Sequence, residues 1–356
     1  MCENKRALVA MSGGVDSSVA ALLTRDMGYE CVGCTMRLYE NETAGMDQKT
    51  CCSLNDVEDA KSVAYSLGMP YYVFNFAEDF GEKVIDKFVD AYFCGATPNP
   101  CIDCNRYMKF DKLYERAKLL HCDYIVTGHY ARIEEENGRF LLKKAVDESK
   151  DQSYVLYSLT PEQLRHTLFP LGGLTKAETR RIAEEHGFVN SHKPDSQDIC
   201  FVPDGDYAAV IERYSGRKSP PGDFIDAQGN VLGRHKGVIH YTVGQRKGLG
   251  IASSAPLFVT RIDPMNNTVT LTHGEGLFTG TVTVRDINLS AVDDISTPMR
   301  AEVKIRYRHP AQPALVTQTG PDELQIKFDS PQRAVTKGQA AVIYRGDTVI
   351  GGGTIV

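Results

Sequence analysis

The sequence predicts a doubly wound parallel α/β domain followed by two mainly β domains. Up to about residue 200, apolar strand-like runs alternate with helical patterns, which is typical of a parallel sheet covered by helices. From Phe201 onward the apolar segments are short, alternating and separated by glycine, as in antiparallel sheets and barrels. We therefore expect an α/β domain at residues 1–201, a small mainly β domain at 202–274 and a β-barrel-like domain at 275–356.

A glycine loop connects the first predicted strand to the first predicted helix. Ala7–Ala10 has the pattern of a short buried strand, and the helix that includes Val19–Leu23 ends at Gly28. Between them lies the sequence Met11-Ser12-Gly13-Gly14-Val15-Asp16-Ser17-Ser18. The unpaired N–H groups at the start of such a helix suit a phosphate group. Asp16 would repel a phosphate unless a divalent cation bridged the two, so the loop indicates a magnesium-nucleotide complex. A plain glycine turn with Asp16 as helix cap is the alternative.

The other strands of this domain place two further segments near the loop. Strands are predicted at Glu30–Met36, Tyr71–Phe76 and Tyr124–Thr127, and helices from Cys51 to Gly68 with Ser53 as cap, over Phe80–Tyr92 and over Phe110–Leu120. Ligands of such sheets bind beyond the carboxyl ends of the strands. Because Met36 and Thr127-Gly128-His129 lie at those ends, we expect them to line a nucleotide pocket. Otherwise Gly128 is a simple turn and His129 a surface side chain.

Turn and cap signals organise the remainder of the chain. Asn137-Gly138 between apolar flanks predicts a hairpin over Arg132–Lys143, and Lys150–Tyr154 is too polar for a core. Thr175 and Glu178 form a capping box that starts a helix running to Gly187. Strands of the β domains are predicted at Gly237–Val243, Leu257–Ile262, Thr268–Thr272, Thr281–Val284, Ala301–Tyr307, Leu324–Phe328 and Ala340–Tyr344.

Composition favours a cytoplasmic protein. The chain has no apolar run long enough to cross a membrane, and its charged start lacks the apolar segment of a secretory signal. The ten cysteines are then better explained as thiols, metal ligands or catalytic groups than as structural disulfides. The net charge of −6 divides into −8 over the first 200 residues (23 Lys and Arg, 31 Asp and Glu) and +2 over the rest (17 and 15). Any contact with nucleic acid must therefore come from local basic clusters.

Three cysteines lie in polar segments. Pro98 and Pro100 precede Cys101 and Cys104, and we expect them to hold these thiols on a rigid loop. The pair is consistent with half a zinc site, with part of an iron-sulfur cluster, or with two buried thiols. Cys200 lies in another polar run, just before the domain boundary. Two distant thiols near an ATP site indicate sulfur chemistry, in which one carries a persulfide and the other exchanges with it. A buried Cys200 without a role is the alternative.

The motifs taken together carry a family resemblance. SGGVDS at Ser12 lacks the lysine of GxxxxGK[ST] loops and resembles the pyrophosphatase-type loop of ATP-dependent ligases and sulfurtransferases. Further matching segments are CCS at Cys51, TPNPCxxCN from Thr97, TGHYAR from Thr127, KDQSYVLY from Lys150, DSQDICF from Asp195, GQRKGLG from Gly244 and RYRH from Arg306. In this order, and over nearly the whole chain, they resemble the tRNA-specific 2-thiouridylases, the MnmA family.

That resemblance implies an adenine nucleotide α-hydrolase-like first domain and an enzyme that converts the wobble uridine of tRNA to 2-thiouridine. The carbonyl at carbon 2 would be adenylated with release of pyrophosphate, and AMP would leave when sulfur enters. By the same resemblance, Cys104 would be the nucleophile and Cys200 the persulfide carrier, and the two would end in a transient disulfide. The implied partners are tRNA and a persulfide-carrying sulfur donor protein, and no membrane is implied.

The resemblance also implies binding residues. ATP, with Mg²⁺, would contact Ala10, Met11, Ser12, Gly13, Gly14, Val15, Asp16, Ser17, Met36 and Gly128. The target base, flipped out of the anticodon loop, would contact Asn99, Pro100 and Cys101. The tRNA would contact His129, Lys150, Asp151, Gln152, Arg306, Tyr307 and Gln339. Arg306-Tyr307-Arg308 independently alternates guanidinium and ring, which suits phosphates and bases.

One departure from the family pattern affects the proton chemistry. Some members carry Asp, proposed as an acid-base group, where this chain has Cys101, and a thiol with a pKa of about 8.5 is weaker in that role. The proton donor is then unassigned, with Asp103 as a candidate, and a Cys101, Cys104 and Cys200 iron-sulfur cluster stays open. Two other functions also remain: an ATP-dependent amidating ligase with the same loop, and a tRNA-binding protein without catalysis.

Overall fold

The computed structural model describes residues 5–39, 54–195, 199–202 and 205–356. These residues form two compact units, each assembled from separate stretches of chain. The first unit comprises the described parts of Met1–Val84, Cys101–Gly205 and Asp347–Ile350, and the second comprises Ile85–Pro100, Asp206–Gly346 and Gly351–Val356. The predicted helix cap at Ser53 and the Cys51-Cys52 pair lie outside the described residues.

The helices of the described residues are numbered in chain order. They are α1 (Val15–Asp26), α2 (Leu54–Ser66), α3 (Ala77–Phe80), α4 (Asp86–Phe93), α5 (Pro100–Asp103), α6 (Leu113–Leu119), α7 (Ser153–Leu156), α8 (Pro161–Arg165), α9 (Lys176–Glu185) and α10 (Tyr207–Ser215). Two π-helical segments, Gly81–Ile85 and Cys104–Lys112, connect α3 to α4 and α5 to α6. None of the described helices combines the length and the apolar character needed to cross a bilayer.

A parallel sheet forms the centre of the first unit. The strands of this unit are β1 (Arg6–Ala10), β2 (Glu30–Arg37), β3 (Tyr71–Asn75), β4 (Tyr124–Val126), β5 (Arg132–Glu136), β6 (Arg139–Lys143) and β7 (Thr167–Leu168). The sheet order is β3-β2-β1-β4-β7, and every pair in it is parallel. Strands added on one side of β1 and then on the other make β1 and β4 a topological switch point, where such sheets bind ligands. The predicted fold class is therefore confirmed for this part of the chain.

Local sequence explains why α1 and the hairpin form where they do. Helix α1 buries its Val19–Leu22 stretch, in one core with Ala7 and Val9 of β1. Burial of these side chains supplies most of the helix stability, at about 25 cal/mol per Å² of apolar surface. The β5–β6 hairpin turns at Asn137 and Gly138, both with positive φ, as a two-residue turn of this kind requires.

The second unit contains a four-stranded sheet and a barrel. Its strands are β8 (Gly222–Ile225), β9 (Val231–His235), β10 (Phe258–Asp263), β11 (Thr268–Thr272), β12 (Phe278–Leu289), β13 (Met299–Lys304), β14 (Gln312–Gly320), β15 (Glu323–Arg333), β16 (Ala340–Arg345) and the part of β17 (Thr348–Ile355) from Gly351 onward. The small sheet has the order β10-β11-β8-β9. The barrel runs β12-β15-β14-β13-β16-β17 and closes where β17 pairs with β12. The predicted β architecture is therefore confirmed, whereas the domain bounds stay a prediction.

Two sequence-based expectations about the β region are wrong in detail. Gly237–Val243 is not a strand, because Val238–His240 forms a 3₁₀ turn in which Val238 and Ile239 are both buried. A strand would send two consecutive side chains to opposite faces. Strands β7, β8, β9, β14 and β17 were not expected. Strand β17 escapes a propensity pattern because it contains Gly351–Gly353, where a side chain at Gly351 would lie 2.2 Å from the carbonyl oxygen of Asn288.

The polarity of Lys150–Tyr154 is also misleading. This segment was expected to lie outside the core, yet Ser153 and Tyr154 are fully buried and Asp151 is 9% exposed. Asp151 accepts hydrogen bonds from the backbone N–H of Ala145 at 3.0 Å and from the Ser153 hydroxyl at 2.7 Å. These bonds give both carboxylate oxygens of Asp151 a partner inside the protein.

Candidate active site

The glycine loop continues β1 along its neighbour β2. The backbone N–H of Met11 donates to the Cys34 carbonyl at 2.7 Å, and the Thr35 hydroxyl donates to the Met11 carbonyl at 2.6 Å. The N–H of Ser12 then donates to the Ser17 hydroxyl at 3.1 Å, which closes the loop onto the first turn of α1. Gly14 is the N-cap of α1 and no side chain caps it. The start of α1 is therefore left to an external anion.

Gly13 occupies a position that only glycine fits. Its φ is +75°, and a Cβ there would lie 2.3 Å from the carbonyl oxygen of Asp56. Two side chains hold its carbonyl oxygen from the other side: Asn190 donates at 2.9 Å and Lys193 at 3.2 Å. Lys193 also pairs with Asp56 at 2.8 Å. The loop is thus fixed by residues that lie far from it in the sequence.

Gly128 follows β4 and packs directly on the loop. A Cβ on Gly128 would lie 2.7 Å from the backbone nitrogen of Ser17 and 2.8 Å from the carbonyl carbon of Asp16. Met36, near the end of β2, is level with Phe74 of β3 and is partly buried. The structure therefore brings Gly128 to the loop, and it places Met36 at the same end of the sheet.

Asp16 is paired with a cation that the motif does not contain. The Lys176 ammonium lies 2.7 and 2.8 Å from the two carboxylate oxygens of Asp16, and the Tyr130 hydroxyl donates to the same carboxylate at 2.9 Å. Lys176 is the first residue of α9, which the Thr175–Glu178 capping box begins as expected. The capping box therefore starts α9 at the position that brings Lys176 to Asp16 of the glycine loop.

A cluster of cations surrounds Asp195. Its carboxylate accepts from Lys150 at 2.8 Å and Arg180 at 2.7 Å, and it lies 2.9 Å from the Lys176 ammonium. Burial alone would raise the pKa of the Asp195 carboxyl, but the hydrogen bonds from Lys150 and Lys176 outweigh it and hold that pKa well below its usual range. Three cations on one carboxylate leave a net positive charge beside the glycine loop.

The donors at the loop fit the phosphates of a nucleotide. Three features favour an anion with several oxygens. The start of α1 is uncapped, Gly13 has no room for a side chain, and lysine and arginine surround Asp195. Magnesium in nucleotide sites is held by one or two carboxylates together with the phosphates. Asp16 is a suitable ligand of that kind, since it is acidic and lies in the first turn of α1.

Cys101 and Cys104 lie on a helix, not on the loop that was expected. Helix α5 starts at Pro100, and the π-helical segment Cys104–Lys112 continues it without a break into α6. Proline suits the first position of a helix because its missing N–H has no partner there anyway. Pro100 therefore starts the thiol-bearing helix, whereas Pro98 precedes it in a stretch without regular secondary structure. Cys101 is exposed and Cys104 is partly buried.

Cys104 and His129 share a neighbour in Lys109. Burial raises the pKa of the Cys104 thiol, whereas Lys109 lowers it and Asp103 adds to the rise. His129 is 7% exposed, and it was expected on the surface in the alternative interpretation. Burial, together with the charge of Lys109, lowers the pKa of His129 well below its usual value. His129 is therefore a neutral, buried group beside the continuous helix of residues 100–119, called the Cys104 helix below.

The segment of Cys200 contacts the same short helix as the segment of Cys104. The Tyr39 hydroxyl donates to the Cys200 carbonyl at 3.2 Å, and the ring of Phe201 packs edge-on against Phe80 of α3 at 5.8 Å. Asp79 of α3 in turn pairs with Lys112 of the Cys104 helix at 2.9 Å. The two thiols thus belong to segments that meet at α3, within the first unit.

Metal and disulfide sites are not formed by the described cysteines. Among the seven cysteines that the structure describes, none is in a disulfide. The described parts of the chain contain no group of three or more His, Cys, Asp or Glu residues arranged to hold a metal ion. Cys101, Cys104 and Cys200 are all described, so they do not form the iron-sulfur ligand set in this conformation. Whether they pair transiently stays a prediction.

One of the expected tRNA-contacting residues, Gln152, is hydrogen-bonded to the loop after β4. Gln152 accepts from the backbone N–H of Tyr130 at 3.0 Å, and its own N–H donates to the Tyr130 carbonyl at 2.8 Å. Lys150 binds Asp195, and Asp151 is buried as described above. The structure therefore brings His129, Lys150, Asp151 and Gln152 close to the glycine loop.

Apart from Cys101, the other expected RNA and base contacts lie in the second unit. Asn99 and Pro100 end its Ile85–Pro100 stretch, and the Gln339 amide donates to the carbonyl of Thr97 in that stretch at 2.6 Å. Arg306 and Tyr307 follow β13 in a turn, because β13 ends at Lys304 and not at Tyr307 as expected. Arg306 donates to the Arg333 carbonyl at 3.0 Å. Gln339 thus positions the proline segment that precedes the thiols.

Sequence reasoning missed several residues of the site. Lys176, Asn190 and Lys193 contact the glycine loop, and Arg180 contacts Asp195 beside it, but the four lie outside the recognised motifs. One signal was available for Lys176, because a capping box fixes the residue at the first position of its helix. Lys109 also lies near Cys104, and only the helical continuation through Cys104–Lys112 reveals it.

The parallel sheet, the glycine loop at its switch point and the adjacent cations define an α/β nucleotide-binding protein with a pyrophosphatase-type loop. Three family descriptions match the chain in order: a tRNA methyl transferase HUP domain over residues 5–204, a tRNA methyl transferase PRC-barrel domain over 208–273 and an aminomethyltransferase beta-barrel domain over 279–355. A tRNA-specific 2-thiouridylase MnmA of Clostridioides difficile is 50% identical over 357 residues, covering 100% of this chain and 99% of the relative. The chain belongs to the tRNA-specific 2-thiouridylase family.

Other relatives agree. A protein of the same name from Lachnoclostridium phytofermentans is 50% identical over 355 residues, covering 99% of each chain. Among solved structures, a 4-thiouridine synthetase in complex with RNA and ATP aligns with a TM-score of 0.40 and 18% identity, over 60% of this chain and 54% of that one. A score of this size supports no further conclusion.

Proposed function

We propose that this protein is a tRNA 2-thiouridylase that uses ATP to activate the wobble uridine of tRNA and then replaces an oxygen with sulfur. The membership of the family supports the overall reaction. The observation that carries the proposal is the meeting of three segments in one unit. Lys109 joins the Cys104 helix to the loop that packs on the glycine loop, and α3 contacts both thiol-bearing segments.

Activation of the base comes first. The carbonyl oxygen at carbon 2 attacks the α-phosphorus of ATP, and pyrophosphate leaves with its electron pair. The uncapped start of α1 and the Lys176, Lys150 and Arg180 cluster stabilise the charge on the departing pyrophosphate. Magnesium, when bound through Asp16, adds charge stabilisation at the phosphates. The oxygen of the base, poor as a leaving group, becomes part of AMP.

Sulfur transfer follows. The terminal sulfur of the Cys200 persulfide attacks carbon 2, and AMP leaves with the former carbonyl oxygen. The Cys104 thiolate then attacks the inner sulfur of Cys200, so the bond between the two persulfide sulfurs breaks and its electron pair stays on the sulfur attached to the base. A Cys104–Cys200 disulfide remains. An external thiol reductant restores it with two electrons, and a persulfide-carrying donor protein reloads Cys200.

The RNA has to present one unstacked base to this site. We propose that the base lies against Asn99, Pro100 and Cys101, since chemistry on a stacked base is blocked. The helix start at Pro100 supports this placement, because it directs Asn99 and Cys101 to the amino end of the Cys104 helix. His129, Lys150, Asp151, Gln152, Arg306, Tyr307 and Gln339 are proposed as contacts of the tRNA. Thiol exchange needs reducing conditions, and we propose the cytoplasm as the compartment.

Incubation with ATP, a persulfide or sulfide donor and unmodified tRNA tests the function. We expect 2-thiouridine in the digested tRNA by mass spectrometry, together with pyrophosphate and AMP in equal amounts. Adenylation and amidation of a small substrate, with ammonia and without thiouridine, would identify an amidating ligase instead. Binding of tRNA without any release of pyrophosphate would identify a tRNA-binding protein without catalysis.

A further inference from the structure

Lys109 and His129 form a contact that the reaction above does not use. The Lys109 ammonium lies 3.4 Å from Nε2 of His129, and Nδ1 of the same ring lies 2.7 Å from the Thr127 hydroxyl. The rings of Phe110 and Phe169 pack on the imidazole, with centroids 6.1 and 5.8 Å away. Both nitrogens of His129 have a partner and two rings pack against it, so its orientation is fixed.

The contact places the positive charge on the lysine. An ammonium group can only donate, so Nε2 of His129 accepts and Nδ1 carries the hydrogen that is shared with Thr127. A second positive charge on a buried ring beside an ammonium would be strongly unfavourable, and the lowered pKa of His129, due first to burial and then to Lys109, agrees with a neutral ring. His129 thus holds Lys109 without neutralising it.

The charge of Lys109 has no counterion among the residues that the structure describes. Its neighbour on the same helical segment, Lys112, is different, because it pairs with Asp79 at 2.9 Å. An ammonium without a carboxylate partner keeps its full charge available to stabilise an anion that forms beside it. The two lysines therefore differ in their pairing, although both lie on one helical segment.

The helix type sets that charge near Cys104. Lys109 is five residues after Cys104, and both belong to the π-helical segment Cys104–Lys112. In a π-helix each residue bonds to the fifth along, so residues five apart lie on a common face, which they would not in an α-helix. The electrostatic influence of Lys109 on Cys104 agrees with this placement.

Other charges near Cys104 oppose ionisation or are already paired. Asp103, next in the chain, raises the pKa of the thiol, and burial raises it more. Helix α3 brings Glu78 and the paired Asp79, and α7 brings no charged side chain. Helix α6 continues the segment with Glu115, Arg116 and Lys118. Lys109 is therefore the nearby group that favours the thiolate.

We propose that Lys109 is a positioning residue whose ammonium, held in place by neutral His129, stabilises the thiolate of Cys104. The inference rests on the proposed role of Cys104 as nucleophile. Cys104 gives its proton to solvent, the ammonium of Lys109 lies beside the sulfur, and the thiolate then attacks Cys200 as described above. This device needs no carboxylate at position 101, where the chain has Cys101.

The rate of alkylation of Cys104 by iodoacetamide, measured against pH in the full-length protein, tests the proposal. Tandem mass spectrometry separates Cys104 from Cys101. In Lys109→Met we expect the pH midpoint of alkylation to rise by about one unit, and the rate at neutral pH to fall about tenfold. Lys109→Arg keeps a cation and should retain most of the wild-type profile. Lys112→Met, on the same helix, is the matched control and should leave the midpoint unchanged.

Two results would overturn the proposal. One is a wild-type midpoint in Lys109→Met, which together with weaker tRNA binding would assign the charge to an RNA phosphate instead. The other is an equal shift in Lys112→Met, which would indicate a general effect on the helix. Should Lys109→Met fold poorly, His129→Gln provides the second variant, and a raised midpoint there supports the proposal. Alkylation needs neither ATP nor tRNA, so this outcome is independent of whether the wild-type protein makes thiouridine.

Discussion

The ammonium of Lys176 lies within 2.8 Å of both carboxylate oxygens of Asp16, although 160 residues separate the two in the chain. The pair joins the glycine loop to the start of α9, and Lys176 also reaches Asp195 at 2.9 Å. A cation held between two carboxylates at a phosphate loop is placed before any nucleotide arrives. Preorganised charge of this kind stabilises a transition state without rearrangement during the reaction.

Replacement of Lys176 should impair the first chemical step. For Lys176→Met we expect ATP-dependent, tRNA-dependent pyrophosphate release to fall by about 100-fold or more, because loss of one preorganised donor typically has that effect. The rate of pyrophosphate release measures this. Arg181→Met is the control, since Arg181 lies on the same helix with an exposed side chain that pairs only loosely with Glu185 at 3.8 Å. Pyrophosphate release at the wild-type rate in Lys176→Met would remove Lys176 from the site.

Substitution of Gly128 should distort the glycine loop, because Gly128 packs against the backbone of Asp16 and Ser17. In Gly128→Ala the new methyl group would meet the backbone of Ser17 at 2.7 Å and of Asp16 at 2.8 Å. We expect an unfolding free energy lower by about 1–3 kcal/mol, as is typical for overpacking, and a higher KM for ATP. Urea unfolding and ATP titration of the activity measure these. Gly173→Ala has no heavy atom within 4 Å of the new methyl and should behave as wild type. A Gly128→Ala protein with unchanged KM for ATP would contradict the close packing.

The fold could be predicted from sequence where local signals and tertiary packing agree. The loop, α1 and the hairpin at Asn137-Gly138 follow from glycine and apolar spacing, and the structure confirms them. The strand predicted at Gly237–Val243 is wrong because its apolar residues lie in a 3₁₀ turn. Strand β17 was missed because packing in the barrel requires glycines within the strand. Periodicity cannot signal contacts with residues that are distant in the chain.

Variants at the cysteines should separate activation of the base from sulfur transfer. Cys104→Ser and Cys200→Ser should each abolish formation of 2-thiouridine, while Cys101→Ser should leave some, because the persulfide and its partner are not at that position. Pyrophosphate release should continue in Cys200→Ser, since the base is activated before sulfur attacks. Mass spectrometry of the tRNA and a pyrophosphate assay measure the two steps. Cys94→Ser, at an exposed cysteine of the second unit, is the control. Full thiolation by Cys200→Ser would refute the persulfide assignment.

The neutral His129 should make stability depend on pH. Its folded pKa is well below the unfolded value of about 6.5, owing first to burial and then to Lys109. As pH falls below about 6.5 the unfolded chain binds a proton that the folded chain does not, so stability is lost toward the folded pKa, by up to about 1.4 kcal/mol per pH unit. In His129→Asn that part of the pH dependence should disappear. Urea unfolding at pH 7.5 and 5.5 measures it.

The control for this measurement is a histidine in solvent. His192 has a side chain that is 87% exposed, so His192→Asn should keep the wild-type difference between the two pH values. Parallel pH profiles for wild type and His129→Asn would show that the ring is protonated in the folded protein. Such a result would also weaken the role of His129 as the neutral partner of Lys109.

The candidate site was predictable only as far as its residues form continuous motifs. Ser12–Ser17, Cys104 and Cys200 stand in recognisable segments, whereas Asn190 and Lys193 hold the carbonyl of Gly13 from a region without a pattern. Their role arises from the folding of the chain back over the loop. The π-helical segment that aligns Cys104 with Lys109 is likewise a product of packing, since no sequence rule separates it from an ordinary helix.

The first unit includes Asp347–Ile350, and the second includes Ile85–Pro100, so each borrows a stretch from the other end of the chain. During synthesis on the ribosome, the parallel sheet around the glycine loop is complete early, but the first unit lacks Asp347–Ile350 until translation is nearly finished. A premature stop codon anywhere before residue 347 would therefore remove part of both units at once. Fragments that end at the boundary of a matched domain, such as residue 204 or 273, should therefore fold less well than the whole protein.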